Sequence, residues 1–397
     1  MKSPGAKLGA VAAVLEEGLA EGVAPGLSAA VLHRGVLVHA SVHGSARLEP
    51  RREELTPGHH FDVASLTKVM ATATAAAVLI AERRLSLEDP VRRHLPSFAG
   101  AGRDRVTIRH LLAHSSGLPA WRPYYERVMA DPVGRLAFQP REARPGSRLA
   151  EAFARGRALL EEAVLSEPLE AEPGTRAVYS DLGFLALGWA LERAAGVPLG
   201  RLVRERVLEP LALASTFFVD EASEPGRVGG LGEREGRAFA ATEQCVHRGE
   251  VNCGEVNDDN AWALGGVAGH AGLFSTARDV AALGSAWLDA LRRRPALLDP
   301  GVAAEFARRD PTPDGTRALG WDTPSPEGSS LGTRLGRGPG GAIGHLGFTG
   351  TSLWIDPDAE VVVALLTNRC HPSRENERIR AFRPRFHDAV AGALGIG

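Results

Sequence analysis

The sequence predicts an α/β protein whose antiparallel sheet is assembled from both ends of the chain, flanked by helices, and interrupted by an inserted, mainly helical lobe. Three observations lead there. Short β-rich runs lie near the start, at 27–32 and 36–42, and similar runs recur near the end, at 342–346, 351–355 and 361–366. Between them, residues 85 to about 215 read mostly as helix. A discontinuous sheet lobe is therefore expected from residues 1–84 and 272–397, and a helical lobe with cleft-lining loops from 85–271. At 397 residues the chain is long enough for two such units and a cleft between them.

Each element has its own signature. An amphipathic run through Leu8, Val11, Val14, Leu15 and Leu19 reads as an N-terminal helix, and Glu16, Glu17 and Glu21 break it up too much for an apolar signal core. A cytoplasmic protein is expected from the sequence as written, and a periplasmic or secreted one if a signal was removed. The runs 27–32 and 36–42 flank His33-Arg34-Gly35, a polar break with a glycine where a hairpin turns. Residues 65–84, rich in Ala, Met and Leu without Gly or Pro, read as a buried helix beginning at Ser65. A turn and short helix follow at 85–95, a capped helix at 107–113 ended by Gly117 and Pro119, and helices at 151–165, 182–195 and 199–208. Glycine clusters at 226–236 and 265–272 read as a connector and a candidate cleft wall. A helix at 277–293, the C-terminal β-type runs punctuated by Gly350 and Asp356-Pro357-Asp358, and an Arg-rich helix at 379–394 complete the chain.

Composition narrows the function classes. A 44% hydrophobic and 24% charged chain with formal net charge -2 has neither the basic surface nucleic acid requires nor a stretch apolar enough to span a bilayer. A small-molecule or peptide-like substrate is the expected partner, and oligomeric state is not legible. Cys245, Cys253 and Cys370 are too few for a disulfide framework, which fits a reducing compartment. Lysine occurs only at positions 2, 7 and 68, while arginine fills the other cationic positions. Arginine cannot give up its proton in a protein, whereas a desolvated lysine can serve as a base. Lys68 therefore stands out before any motif is considered.

In Phe61-Asp62-Val63-Ala64-Ser65-Leu66-Thr67-Lys68, a serine and a lysine sit three apart where a helix begins, which puts both on one face, a turn apart. A serine hydroxyl is a poor nucleophile until a neighbouring base takes its proton. Ser65-Leu66-Thr67-Lys68 resembles the Ser-x-x-Lys motif of the serine β-lactamase and penicillin-binding-protein superfamily. Further segments resemble its class C branch: 85–91, 106–118, Pro173-Gly174-Thr175, Tyr179-Ser180-Asp181, Glu209-Pro210-Leu211 and His345-Leu346-Gly347. They run in the family's order over about residues 25 to 370.

This resemblance implies a β-lactamase/transpeptidase-like fold and an acyl-enzyme formed on Ser65, with no cofactor and no metal. Tyr179, one of three tyrosines, would shuttle the proton between nucleophile and leaving group. Gly347 would let substrate approach the strand closely, and the backbone N–H groups of Ser65 and Phe348 would form the oxyanion hole. Asp181 and His345 stand at substrate-binding positions but depart from the family pattern. An ionised carboxylate cannot donate the hydrogen bond of the usual amide, and a neutral imidazole attracts an anion poorly. An esterase or peptidase-like serine hydrolase is expected rather than an efficient β-lactamase, with a class C-type β-lactamase or D,D-peptidase as the alternative.

Rival readings come from other classes. Cys245, His247, Cys253 and His270 could be imagined as metal ligands, but their spacing fits no common zinc pattern. Gly328-Ser329-Ser330-Leu331-Gly332 matches a nucleophile elbow formally, without a legible strand before or helix after it. A ligand-binding protein on the same scaffold is the non-enzyme alternative. The Asp-, Asn- and Gly-rich segment 257–275 resembles a loop of penicillin-binding-protein-like hydrolases and is expected to line the pocket or pack between lobes.

Overall fold

The computed structural model describes residues 4–222, 233–234, 236–313, 315–325 and 328–397. A six-stranded antiparallel sheet runs in the order Ile343–Leu346, Ser352–Asp356, Val361–Thr367, Gly26–His33, Val36–Arg47 and Glu53–Glu54. The two termini meet where Leu27 pairs with Thr367 and His33 with Val361. Strand alternation explains the apolar run at 361–367: Val361, Val363 and Leu365 join one core, and Val362, Ala364 and Leu366 the other. The first core is covered by the helices Pro4–Ala20 and Ile379–Leu394, through Val11, Leu15, Phe382, Phe386 and Val390. The second lies under the helix Ala277–Leu291, where a Cβ on Gly284 would strike Val362.

The expected strands and long helices are present, with ends moved by a few residues. The helix expected at 151–165 spans Gly146–Ser166, that at 182–195 spans Asp181–Ala195, and that at 277–293 ends at Leu291. Two expectations need correction. The helix expected uniformly over 65–84 starts as a tight turn at Ser65, passes through a π-helical stretch at Lys68–Ala73 and becomes regular only at Thr74–Ala81. Such widened turns recur at functional sites. The helix at 199–208 likewise runs as Leu199–Val203 and then widens over Arg204–Leu208.

A second sheet escapes sequence reading: Phe217–Phe218, Leu273–Ser275, His59–Asp62, Arg237–Phe239 and Glu233–Arg234, in that order. His59–Asp62 pairs antiparallel with Leu273–Ser275 and parallel with Arg237–Phe239, and so delivers the chain to Ser65 between the lobes. Of the glycine cluster at 226–236, all but 233–234 and 236 lies outside the described residues.

Candidate active site

Asp62, at the end of its strand, is nearly inaccessible and accepts hydrogen bonds from Ala64 N (2.8 Å) and Asn257 N (2.7 Å). Burial pushes its carboxyl up to about 6 even so. The chain then turns through Ala64, whose φ of +49° lies in the left-handed region that non-glycine residues seldom occupy. Bonds from Leu66 N to Val63 O, Thr67 N to Ala64 O and Lys68 N to Ser65 O close the turn at 3.0–3.1 Å. Ser65 is thereby held at the wall of a cavity of about 920 Å³, and the fully buried Lys68 side chain points back at it. Lys68 Nζ donates to Ser65 Oγ (2.9 Å) and to His270 O (3.1 Å), and lies 2.7 Å from Asp181 Oδ1.

Asp181 thus has a partner inside the protein, Lys68, and also lines the cavity. Burial alone would pull the Lys68 ammonium's pKa down, but the Asp181 charge, with hydrogen bonding to Asp181 and Tyr179, outweighs it and raises it above the ordinary lysine value. The paired Lys68 therefore favours its charged form in the resting site. Replacing Asp181 with Asn removes that opposing charge and leaves desolvation in control, so the Lys68 pKa should fall. The alkaline limb of the kcat/KM profile is expected to move to lower pH in Asp181→Asn; an unmoved limb would show that Asp181 does not set the charge on Lys68.

Tyr179 and Asp181 are placed by the start of the helix Asp181–Ala195. Ser180 caps it, accepting from Gly183 N (3.1 Å) and donating to Pro119 O (2.7 Å). Val178 N bonds to His114 O and Asp181 N to Ala120 O, both at 2.8 Å, so the segment 114–120 forms the shelf for this corner. The Tyr179 ring centre is 4.9 Å from Lys68 Nζ, 5.0 Å from the Arg317 guanidinium and 4.6 Å from the His114 ring. Burial raises the Tyr179 pKa above the usual phenol value, while Lys68 and hydrogen bonding to Lys68 and Ser65 oppose the rise. His114 accepts from Ser180 N at Nδ1 (3.0 Å) and is held neutral by burial and by Arg317 and Lys68.

His345, on the strand Ile343–Leu346, is 2% exposed, and burial with the charges of Lys68 and Arg317 keeps its pKa well below the usual value. Its Nδ1 lies 2.9 Å from Leu346 O, so that nitrogen carries the proton and Nε2, without a partner, is left as an acceptor. Gly347 is required by the protein itself: a Cβ there would come within 1.9 Å of Thr351 Oγ1 and 2.5 Å of Val63 O. That packing, rather than close substrate approach alone, accounts for the glycine. Thr349 and Thr351 hydroxyls bond to Asp62 O (2.8 Å) and Val63 O (2.9 Å) and bolt this turn to the one bearing Ser65. The backbone N–H groups of Ser65 and Phe348 make no hydrogen bond among the described residues, and both residues line the cavity.

Several participants were not singled out in the sequence as chemical. Arg317 lies over Tyr179, and Asp258 holds His270 Nε2 at 2.9 Å, which steadies the loop whose carbonyl receives Lys68. The segment 257–275 therefore both packs and lines the site: Leu273 N bonds to Thr67 Oγ1, and His270 and Ala271 face the cavity. Among the described residues no group of three or more His, Cys, Asp or Glu is arranged to hold a metal ion. Of the four candidate ligands, Cys253 bonds to Phe239 O, Cys245 and His247 lie near Asp259, and His270 is held by Asp258. Residues 328–332 form a turn closed by Gly332 N to Ser329 O (3.0 Å).

A sheet closed by both termini, with a helical lobe beside it and a cleft between, is the architecture of the β-lactamases and transpeptidases. A sequence profile of the family described as Beta-lactamase matches residues 11–383, and the chain belongs to that family. The chain is 30% identical over 333 residues to a putative D-alanyl-D-alanine carboxypeptidase of Salmonella agona (strain SL483), covering 80% of this chain and 71% of that protein. Among solved structures, it resembles EstCE1, a hydrolase with promiscuous acyltransferase activity, with 24% identity, TM-score 0.69 and coverage of 98% and 99% of the two chains. It also resembles the octameric penicillin-binding protein homologue of Pyrococcus abyssi, with 23% identity, TM-score 0.67 and coverage of 98% and 77%. At these identities the two structures speak to the fold. Membership places the chain among serine-hydrolase-type proteins. No helix among the described residues is long and apolar enough to cross a membrane.

Proposed function

We propose that the protein is a serine hydrolase that works through an acyl-enzyme on small neutral esters and related amides. The observation that carries this is Lys68 Nζ 2.9 Å from Ser65 Oγ, at a cavity wall that also presents two uncommitted backbone N–H groups. Ser65 Oγ attacks the carbonyl carbon and passes its proton to the Tyr179 oxygen, while Tyr179 gives its own proton to the leaving group. The Lys68 ammonium stabilises the phenolate character that develops between the two transfers. The Ser65 and Phe348 amides hold the oxyanion. Water then attacks the acyl carbonyl and its proton returns through Tyr179 to Ser65.

Substrate preference follows from the lining. Among the described residues only six large apolar side chains are exposed, and three of them, Trp121, Val246 and Phe348, line this cavity. Charged side chains nearby are largely paired with each other: Arg374 with Glu243, Arg380 with Glu377, Asp258 with His270. An apolar acyl group gains contact there. A β-lactam, by contrast, needs a donor where Asp181 has none and a charge where His345 is neutral.

p-Nitrophenyl esters should be hydrolysed, with kcat/KM rising about three- to fourfold per methylene from acetate to butyrate, while nitrocefin and penicillins turn over slowly or not at all. The measurement is kcat/KM for both classes with one enzyme batch and a Ser65→Ala background. A larger kcat/KM for nitrocefin than for the esters makes the protein a β-lactamase. A D-alanyl-D-alanine peptide belongs in the same panel because of the carboxypeptidase-named relative; preferential cleavage of it would move the reading to a D,D-peptidase.

A further inference from the structure

Arg383 lies in the C-terminal helix Ile379–Leu394, is only 6% exposed, and has no carboxylate partner among the described residues. Burial, with Arg369 and Arg380 nearby, depresses its pKa to about 10, yet the guanidinium stays charged at neutral pH. A buried cation without a counter-charge is costly, and packing alone does not require one. What it does is specific: Nη2 donates to Gly347 O (3.1 Å) and to Thr351 O (3.0 Å), while Nε has no partner.

The Gly347–Phe348 peptide is not among the cis bonds, so Gly347 C=O and Phe348 N–H belong to one planar unit and point opposite ways. Gly350 N (3.0 Å) and Arg383 both hold that carbonyl, and Arg369 Nε holds the next one, Phe348 O, at 2.7 Å. With the carbonyls fixed, the N–H of Phe348, a residue that lines the cavity, is held at the opposite edge of its peptide. A positive charge on the carbonyl also polarises the peptide and makes its N–H a better donor.

We infer that Arg383 is the positioning residue of the oxyanion hole, which orients and polarises the Phe348 N–H by binding Gly347 O, at the opposite edge of the same peptide. This rests on the reading of Phe348 N–H as an oxyanion donor in a serine hydrolase. The test uses a neutral ester, p-nitrophenyl butyrate, so that any attraction of Arg383 for an anionic substrate plays no part. Losing one oxyanion donor outright costs about 10²–10³ in kcat, and misaiming it should cost about tenfold or more. Arg383→Met is expected to lower kcat by that factor with little change in KM and an unchanged or higher melting temperature, since an apolar chain replaces an unpaired buried charge. Arg383→Lys, which keeps the charge and a donor, should recover part of the loss. Should Arg383→Met not fold, the Lys variant alone decides: it must show a reduced kcat at unchanged KM. A wild-type kcat in either folded variant overturns the inference, as does an effect confined to KM. Ester turnover that persists in Ser65→Ala would instead overturn the serine-hydrolase reading, whatever Arg383 does.

Discussion

Ser65→Ala is expected to abolish ester turnover and labelling by a fluorophosphonate while the protein stays folded. The loss should be at least about 10⁴-fold, because removing the nucleophile leaves only the oxyanion hole and binding to act on water. Folding should survive because Ser65 Oγ accepts from Lys68 and Ser65 lines the cavity, while the turn is held by backbone bonds and by Asp62 and the two threonines. The decisive comparison is between rate and melting curve. Undiminished hydrolysis in the Ala variant removes the central claim, whereas a collapsed melting transition would mean that the hydroxyl supports the turn.

The second large effect belongs to Lys68 and Tyr179. Lys68→Arg should be almost as inactive as Lys68→Ala, a loss of about a hundredfold or more. Lys68 is fully buried, with Nζ shared among Ser65 Oγ, His270 O and Asp181, and a planar guanidinium cannot point its donors into that arrangement without displacing one of them. Tyr179→Phe keeps the ring between Lys68 and His114 and removes only the hydroxyl, so it should slow acylation or deacylation by a comparable factor with little effect on stability. Pre-steady-state release of p-nitrophenol separates the two steps. An Arg variant with near-native rate would mean that any cation at position 68 suffices and that the shared geometry of the Lys68 ammonium does not matter, and equal rates for Phe and Tyr at 179 would move the proton transfer elsewhere.

Much of this was legible because local chemistry recorded it. A β-type run marked 361–366, and the helices read at 182–195 and 277–293 lie within a residue or two of Asp181–Ala195 and Ala277–Leu291. The nucleophile turn was legible as a motif, but its widened helical geometry was not, since no residue in 65–84 breaks an α-helix. The second sheet left no trace because most of its strands are two or three residues long, too short for a period. Asp181 shows a different limit. Its type was readable and its partner was not, because whether a carboxylate meets a ligand or a lysine depends on how two distant helix starts converge. Arg383 sits beside exposed Arg380 in an Arg-rich helix, and only burial tells the two apart.

The position of Val361–Thr367 has a consequence for how the protein comes into being. This strand lies in the interior of the sheet, between Ser352–Asp356 and Gly26–His33, yet it leaves the ribosome only after the whole helical lobe. Until it arrives, the apolar Gly26–His33 hairpin edge stands open through the synthesis of the whole helical lobe, a template for pairing with other chains. Joining Leu27 to Thr367 then requires closure of most of the polypeptide into one loop, a slow, high-contact-order step. Nascent chains cut short before residue 361 should therefore be dependent on chaperones and prone to aggregation, and hydrolytic competence should appear all at once, when the sheet is sealed.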